Sequence, residues 1–341
     1  MSTRYQPAPT SGNEKHHPQV NQFVGCLLGL ALADALGAPV ETQPPSACHV
    51  YVSNWPTPKA AAPAGIGQYT DDTQLARTLL HSIVDAQGFA GAHFAAGLTE
   101  LVSSGKLVGG GKTTAGSVAR LQAGTPWQQS GGARPTNGSC MRVAPAALVY
   151  AANTAGRRTF AAQQSTPTHS AAAALAASTA IAEGAALATH AARLDETHFL
   201  EHIAAATKPH LPRYGLLCEQ LNDWRRQKPQ DVLAALMDAT YEPDFAHRPG
   251  ISTHATASSL WALYCFLHQP DDYLAGVGTA IRGGGDTDTT AAMTGALIGA
   301  RHGTDILPAA WLPVLHDAGA WRASDLADLA TKAHALSLTL D

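Results

Sequence analysis

Apolar residues at helical spacing, many of them alanine, recur along almost the whole chain. Val24, Leu27, Leu28, Ala31 and Ala35 fall at i, i+3, i+4, i+7 and i+11, one buried stripe on a helix that Gly37 and Pro39 stop. A second helix starts at Asp71–Asp72, with Leu75, Leu79 and Ile83 four apart. Further helical patterns run over roughly 88–103, 113–122, 141–154, 169–192, 195–207, 214–226, 229–239, 253–268, 270–281, 288–301 and 323–337. Glycine- and proline-rich breaks separate them, and the only strand-like run, His49 to Trp55, lies inside a proline-rich loop. Alanine is the best helix former and lets helices pack closely. With no alternation of strands and helices and no fixed-period repeat, these patterns predict an all-α protein with one globular domain over residues 20–341. Residues 1–19, rich in Pro, Ser, Thr and charge, predict a disordered polar tail.

At 341 residues and 45% hydrophobic, the chain has ample material for a core. A formal net charge of −4 without a run of Lys or Arg argues against nucleic acid as a partner, because such binding rests on phosphate neutralisation. The five cysteines are scattered and never form a C-x-x-C pair, as expected of reduced thiols in a cytoplasmic protein. The N-terminus lacks the apolar core of a signal peptide, and no apolar run is read as reaching the roughly 18 residues of a membrane span. No membrane association is expected, and the expected state is a monomer.

Two acidic segments far apart in sequence stand out. One is Thr70-Asp71-Asp72-Thr73 at a loop-to-helix junction, and the other is Asp286-Thr287-Asp288-Thr289, which follows Gly283-Gly284-Gly285 and opens a helix. Asp and Thr before an apolar helix serve as N-caps, yet four Asp with flanking Thr offer more oxygen than capping uses. Hard oxygen ligands of this kind suit Mg²⁺ or Mn²⁺. Brought together, the two segments would hold a dinuclear site, with metals about 3.5–4 Å apart.

With three further segments, these motifs resemble the ADP-ribosylglycohydrolase family, which includes dinitrogenase reductase-activating glycohydrolases and arginine- and serine-directed ADP-ribosylhydrolases. The other segments are the helix from Gly25 to Glu41, the stretch Thr136 to Pro145, and Thr168-His169. In the family's order, they cover residues 21 to 305. The resemblance implies an orthogonal helical bundle and a hydrolase that removes ADP-ribose from modified protein side chains, arginine foremost. It makes Thr70, Asp71, Asp72, Asp286, Asp288 and Thr289 the ligands of two Mg²⁺ or Mn²⁺. It sets Asn137, Gly138, Ser139, Cys140, Met141 and Arg142 toward the diphosphate and distal ribose, with His169 beside the substrate. Gly111 and Thr113 fall in a matching family loop, although glycine stands where members often carry Asp. Glu41 matches an acidic residue on a mobile flap, and Glu41 or Asp72 is the expected group for proton transfer. Alternatives within this reading are a serine- or O-linked ADP-ribose hydrolase, or an immunity protein whose tail blocks an ADP-ribosyltransferase by contact.

Other readings are weaker. Gly111-Lys112-Thr113 lacks the earlier glycine and preceding strand of a phosphate-binding P-loop. His198 and His202 are four apart but lack a third zinc ligand, so they read as a solvated helix face. Arg142 is either a phosphate anchor or a structural arginine. Metal-free members of this fold that persist as structural proteins would have lost oxygen ligands that this chain keeps.

Overall fold

The computed structural model describes residues 16–190, 194–246 and 249–340. Its helices are α1 (Val20–Gly37), α2 (Pro45–Ser53), α3 (Asp71–Asp85), α4 (Gly91–Ser103), α5 (Lys112–Gln122), α6 (Val143–Ala147), α7 (Thr154–Ser165) and α8 (Ala172–Ala188). They continue as α9 (Glu196–Thr207), α10 (Pro212–Trp224), α11 (Pro229–Ala239), α12 (Ala255–His268), α13 (Tyr273–Arg282), α14 (Thr287–His302) and α15 (Ala323–Ser337). Among the described residues β structure is confined to isolated bridges, so the fold is all-α. The expected tail falls mostly outside the described residues. At its end, His16 Nε2 lies 3.0 Å from Thr189 Oγ1.

Three expectations change. The strand-like run is helix α2, which Pro45 opens at a position where a missing N–H costs nothing. Cys48 and Val52, one turn apart, are its buried face, and Val50 is exposed. Helix α7 has no apolar periodicity and is held by tertiary contacts, described below. The pattern at 141–154 is a short α6 that tightens into a 3₁₀ turn at Leu148–Tyr150. A fourth correction concerns the membrane: Val20–Val40 is long and apolar enough to cross one, but 83% of it is buried inside the protein. Its apolar residues serve the core on every side.

Helices α1 and α14 form the centre and run antiparallel, with glycines facing each other. A Cβ on Gly29 would lie 2.4 Å from Gly295 O, one on Gly299 2.0 Å from Gly25 O, and one on Gly37 2.5 Å from Asp288 Cα. Backbone therefore meets backbone, closer than any side chain allows. The Ala-rich α8 and apolar α12 pack around this pair and are buried on most sides. At the edge, Glu183 of α8 takes hydrogen bonds from Arg157 Nη2 at 2.9 Å and His202 Nε2 at 2.5 Å, and Arg158 Nε lies 3.3 Å away. This cluster ties α7 and α9 to α8 and shows that His202 is a partner of Glu183 and not part of a solvated face.

Two outcomes follow from these contacts. Gly29→Ala should lower stability by about 3 kcal/mol in urea titration, because the added methyl must push two backbones apart. Burial works against the Glu183 charge, but hydrogen bonds from His202 and Arg157 outweigh it and bring the carboxyl down from 4.5 to about 2. The stability this supplies is present in full above pH 4.5 and is lost as pH falls through 2. Acid titration of Glu183→Gln should therefore lack the part of the wild-type loss that falls in this window.

Candidate active site

The site forms where the C-terminal half of α1 meets the first turns of α3 and α14. Asp34, the one charged residue inside α1, points across to α3. Its carboxylate accepts Thr70 Oγ1 at 2.8 Å, Thr73 Oγ1 at 2.5 Å and the backbone N–H groups of Thr70 and Thr73 at 3.0–3.1 Å. The opening turn of α3 is thus capped from another helix, and the Thr70 side chain makes no cap bond of its own. Nor does Asp286 cap α14 with its side chain. Its carboxylate instead accepts Asn137 Nδ2 at 2.5 Å. Capping does not account for either acidic segment.

The segment ahead of α14 is shaped by Gly284 and Gly285, both at positive φ (65° and 75°). A Cβ on Gly285 would lie 2.1 Å from Ile251 O. Asp286 N donates to Ile251 O at 2.8 Å. Gly285 also exchanges backbone hydrogen bonds with the Glu41 loop: Thr42 N donates to Gly285 O at 2.7 Å, and Gly285 N to Gln43 O at 2.9 Å. Glu41 therefore sits on a segment pinned to the glycine loop.

One oxygen each from Glu41, Asp286 and Asp288 lies within 4.8 Å of the others. Asp71 and Asp72 line the same cavity, of about 430 Å³. Asp72 Oδ2 accepts Thr289 Oγ1 at 3.2 Å and Thr70 Oγ1 at 3.4 Å, while its Oδ1 is buried without a hydrogen-bond partner. Burial, then Asp34 and Asp286, raises the Asp71 carboxyl to about 8. Burial together with Asp288 raises Asp72, and burial together with Asp286 and Glu41 raises Asp288, both well above the usual range. Asp34 is raised to about 6 by burial, against the pull of its four donors. A carboxylate oxygen buried without a donor is costly, and a cluster of mutually repelling carboxylates more so. Divalent cations answer both problems, and the all-oxygen donor set fits Mg²⁺ or Mn²⁺.

The remaining residues divide into two groups. Gly111, Thr113, Asn137, Gly138, Met141 and His169 line the cavity. His169 is not a helix-cap residue: it precedes α8, with Nε2 2.9 Å from Thr136 Oγ1 and Nδ1 2.8 Å from Thr168 Oγ1. Burial, helped by Arg142, lowers its pKa to about 3 and keeps the ring neutral. Ser139, Cys140 and Arg142 lie beneath the cavity wall. Ser139 Oγ accepts Ser165 and Ser178, and Cys140 Sγ donates to Asn137 O. The fully buried Arg142 guanidinium donates to Gln164 and to Gly138 O, the structural alternative for this residue. Asp34 was not singled out by sequence, although a lone charge in an apolar helix was a signal. Arg134, at the cavity wall with its guanidinium 4.8 Å from the Phe245 ring, gave none.

Asp34→Asn should lower the melting temperature and weaken Mn²⁺ binding together, since an amide has one acceptor oxygen for four donors. Calorimetry with an unchanged Mn²⁺ affinity would show that the α3 turn keeps its shape without this carboxylate.

A model of the ADP-ribosylglycohydrolase family matches residues 15–339. An uncharacterized protein of Archaeoglobus fulgidus is 28% identical over 324 residues, covering 94% of this chain and 98% of its own length. The ADP-ribosylarginine hydrolase Tri1 of Pseudomonas putida is 28% identical over 300 residues, covering 84% of this chain and 72% of its own. Among solved structures, an ADP-ribosylglycohydrolase-related protein complex superposes with a TM-score of 0.66 at 25% identity, covering 93% of this chain and 98% of that one.

Proposed function

The chain belongs to the ADP-ribosylglycohydrolase family, and we propose that it is a hydrolase, dependent on two Mg²⁺ or Mn²⁺ ions, that removes ADP-ribose from arginine side chains of modified proteins. The observation that carries the metal dependence is the buried carboxylate cluster, in which Asp72 Oδ1 has no hydrogen-bond partner. The arginine acceptor is supported by the similarity to an ADP-ribosylarginine hydrolase.

Thr70, Asp71, Asp72, Asp286, Asp288 and Thr289 would hold the metals, and Glu41 stands close enough to join them. When bound, the two cations would neutralise the cluster and act as Lewis acids toward hydroxyl and water oxygens. Asn137, Gly138 and the start of α5 at Thr113 face the diphosphate, and neutral His169 fills the wall beside them without adding charge. The aspartates stabilise positive charge as it develops at the anomeric carbon. Water attacks that carbon and releases a proton, the C–N bond breaks, and the departing guanidine nitrogen takes up the proton that the water gave. Glu41, on the cavity wall, would handle that proton, whereas Asp72 already accepts hydrogen bonds from Thr70 and Thr289.

The test is release of ADP-ribose from arginine- and serine-modified peptides. EDTA should abolish it, Mg²⁺ or Mn²⁺ should restore it, zinc should not, and the arginine peptide should be the better substrate. Asp288→Ala should cost at least about a hundredfold in kcat, and adding Asp72→Ala little more, since the ligands act as one unit. Full activity after metal stripping would sink the metal proposal, and preference for the serine peptide would overturn the acceptor.

A further inference from the structure

Behind the carboxylate cluster, the segment 316–321 lies along α3. His316 N donates to Gly67 O at 2.9 Å, and the Tyr69 hydroxyl donates to Trp321 O at 2.9 Å. Between them Asp317 is buried, and its carboxylate accepts Arg77 Nη1 at 2.9 Å, Gln74 Nε2 at 2.8 Å and Gln68 Nε2 at 3.3 Å. Gln74 Nε2 also donates to Lys106 O at 2.9 Å, and its Oε1 accepts Val108 N at 2.9 Å. Val108 O in turn accepts the backbone N–H of Asp71 at 2.8 Å. The next residue, Gly109, has φ +81°, and a Cβ there would lie 3.2 Å from Asp71 Oδ1.

One side-chain amide thus fastens the 106–109 stretch to α3. An amide has two orientations of nearly the same shape and opposite hydrogen-bonding sense. Asp317 and the Lys106 carbonyl both accept only, so Gln74 must turn its NH₂ toward the pair of them, which leaves Oε1 for Val108 N. We infer that Asp317 is a positioning residue of the active site: as the charged one of the two acceptors on Gln74 Nε2 it anchors that amide to the core and so holds the glycine loop 109–111 as a wall of the substrate cavity. What that wall contacts rests on the function proposed above. How it is held does not.

Asp317→Asn is the informative change because it keeps the shape. The new amide must offer its oxygen to the charged Arg77 and its NH₂ to Gln74. Gln74 then meets a donor at residue 317, and turning over to accept from it would set its NH₂ against Val108 N and its oxygen against Lys106 O, so the amide link to 106–108 weakens in either orientation. Gln74→Leu removes the same link while leaving the Arg77–Asp317 pair, and it decides the question should Asp317→Asn not fold. Hydrogen exchange of the full chain should show the Val108 amide exchanging on the order of tenfold faster in either variant. On an arginine-ADP-ribosylated peptide, KM should rise on the order of tenfold with kcat within about threefold, and the double variant should be no worse than either single one. A merely structural Asp317 would lower the melting temperature and the active fraction without moving KM. Val108 protection equal to wild type in both variants overturns the inference, as do KM changes that multiply. If wild-type protein leaves the peptide intact, the functional reading fails, while the exchange measurement still decides the positioning.

Discussion

The backbone contact between α1 and α14 sets where everything else can stand. Gly25, Gly29 and Gly37 meet Gly299, Gly295 and Asp288 with no side chain between them, and this locks the two helices in one register along their length. A slip of one residue would move α1 by about 1.5 Å along its axis. Functional groups need placement to about 0.5 Å. Because the helices are antiparallel, the end of α1 that carries Asp34 and leads to Glu41 arrives beside the start of α14 with Asp286 and Asp288. Residues 250 positions apart, such as Gly37 and Thr287, share a hydrogen bond of 2.9 Å there.

Two kinds of buried carboxylate are visible in this protein, and their surroundings separate them. Glu183 is enclosed by Arg157, Arg158 and His202, and its carboxyl is lowered to about 2. Asp71, Asp72 and Asp288 are buried, with Asp34, Asp286 and Glu41 as well as one another for neighbours, and are raised. The first arrangement joins three helices. The second spends stability: Asp34 adds to the repulsion and is itself raised to about 6 by burial although four donors face it, while Asn137 donates to Asp286. A group of buried like charges held in a cavity in this way is a mark of function more than of folding.

Most helices were legible because each carries its own buried stripe. Helix α2 was not, since Val50, Tyr51 and Val52 favour a strand locally and only the docking of the Tyr51 hydroxyl on Leu36 O at 2.9 Å shows which face is inside. Helix α7 was missed because Arg157 stands on its buried face, and an arginine reads as surface until Glu183 is seen beneath it. The acidic residues of the cavity were legible because they sit in short runs on either side of helix starts. Asp34, Gln74 and Asp317 were not singled out, because each is a single polar residue whose side-chain partners lie 32 to 249 positions away. Likewise, nothing local distinguishes Ser139 and Arg142, which support the wall from behind, from Asn137 and Gly138, which face the cavity.

The borrowed cap on α3 bears on how the protein is assembled. A helix start without its own cap has several unsatisfied N–H groups and forms poorly by itself. Here the missing acceptor is Asp34, 36 residues upstream of Thr70 in another helix. The turn carrying Asp71 and Asp72 therefore takes its shape only once α1 has docked, and α1 is aligned by α14 from the far end of the sequence. The four aspartates form one group only where α1, α3 and α14 are docked together. A cation-binding role for this group would therefore depend on the docking of three helices, and no single stretch of the chain could carry it alone.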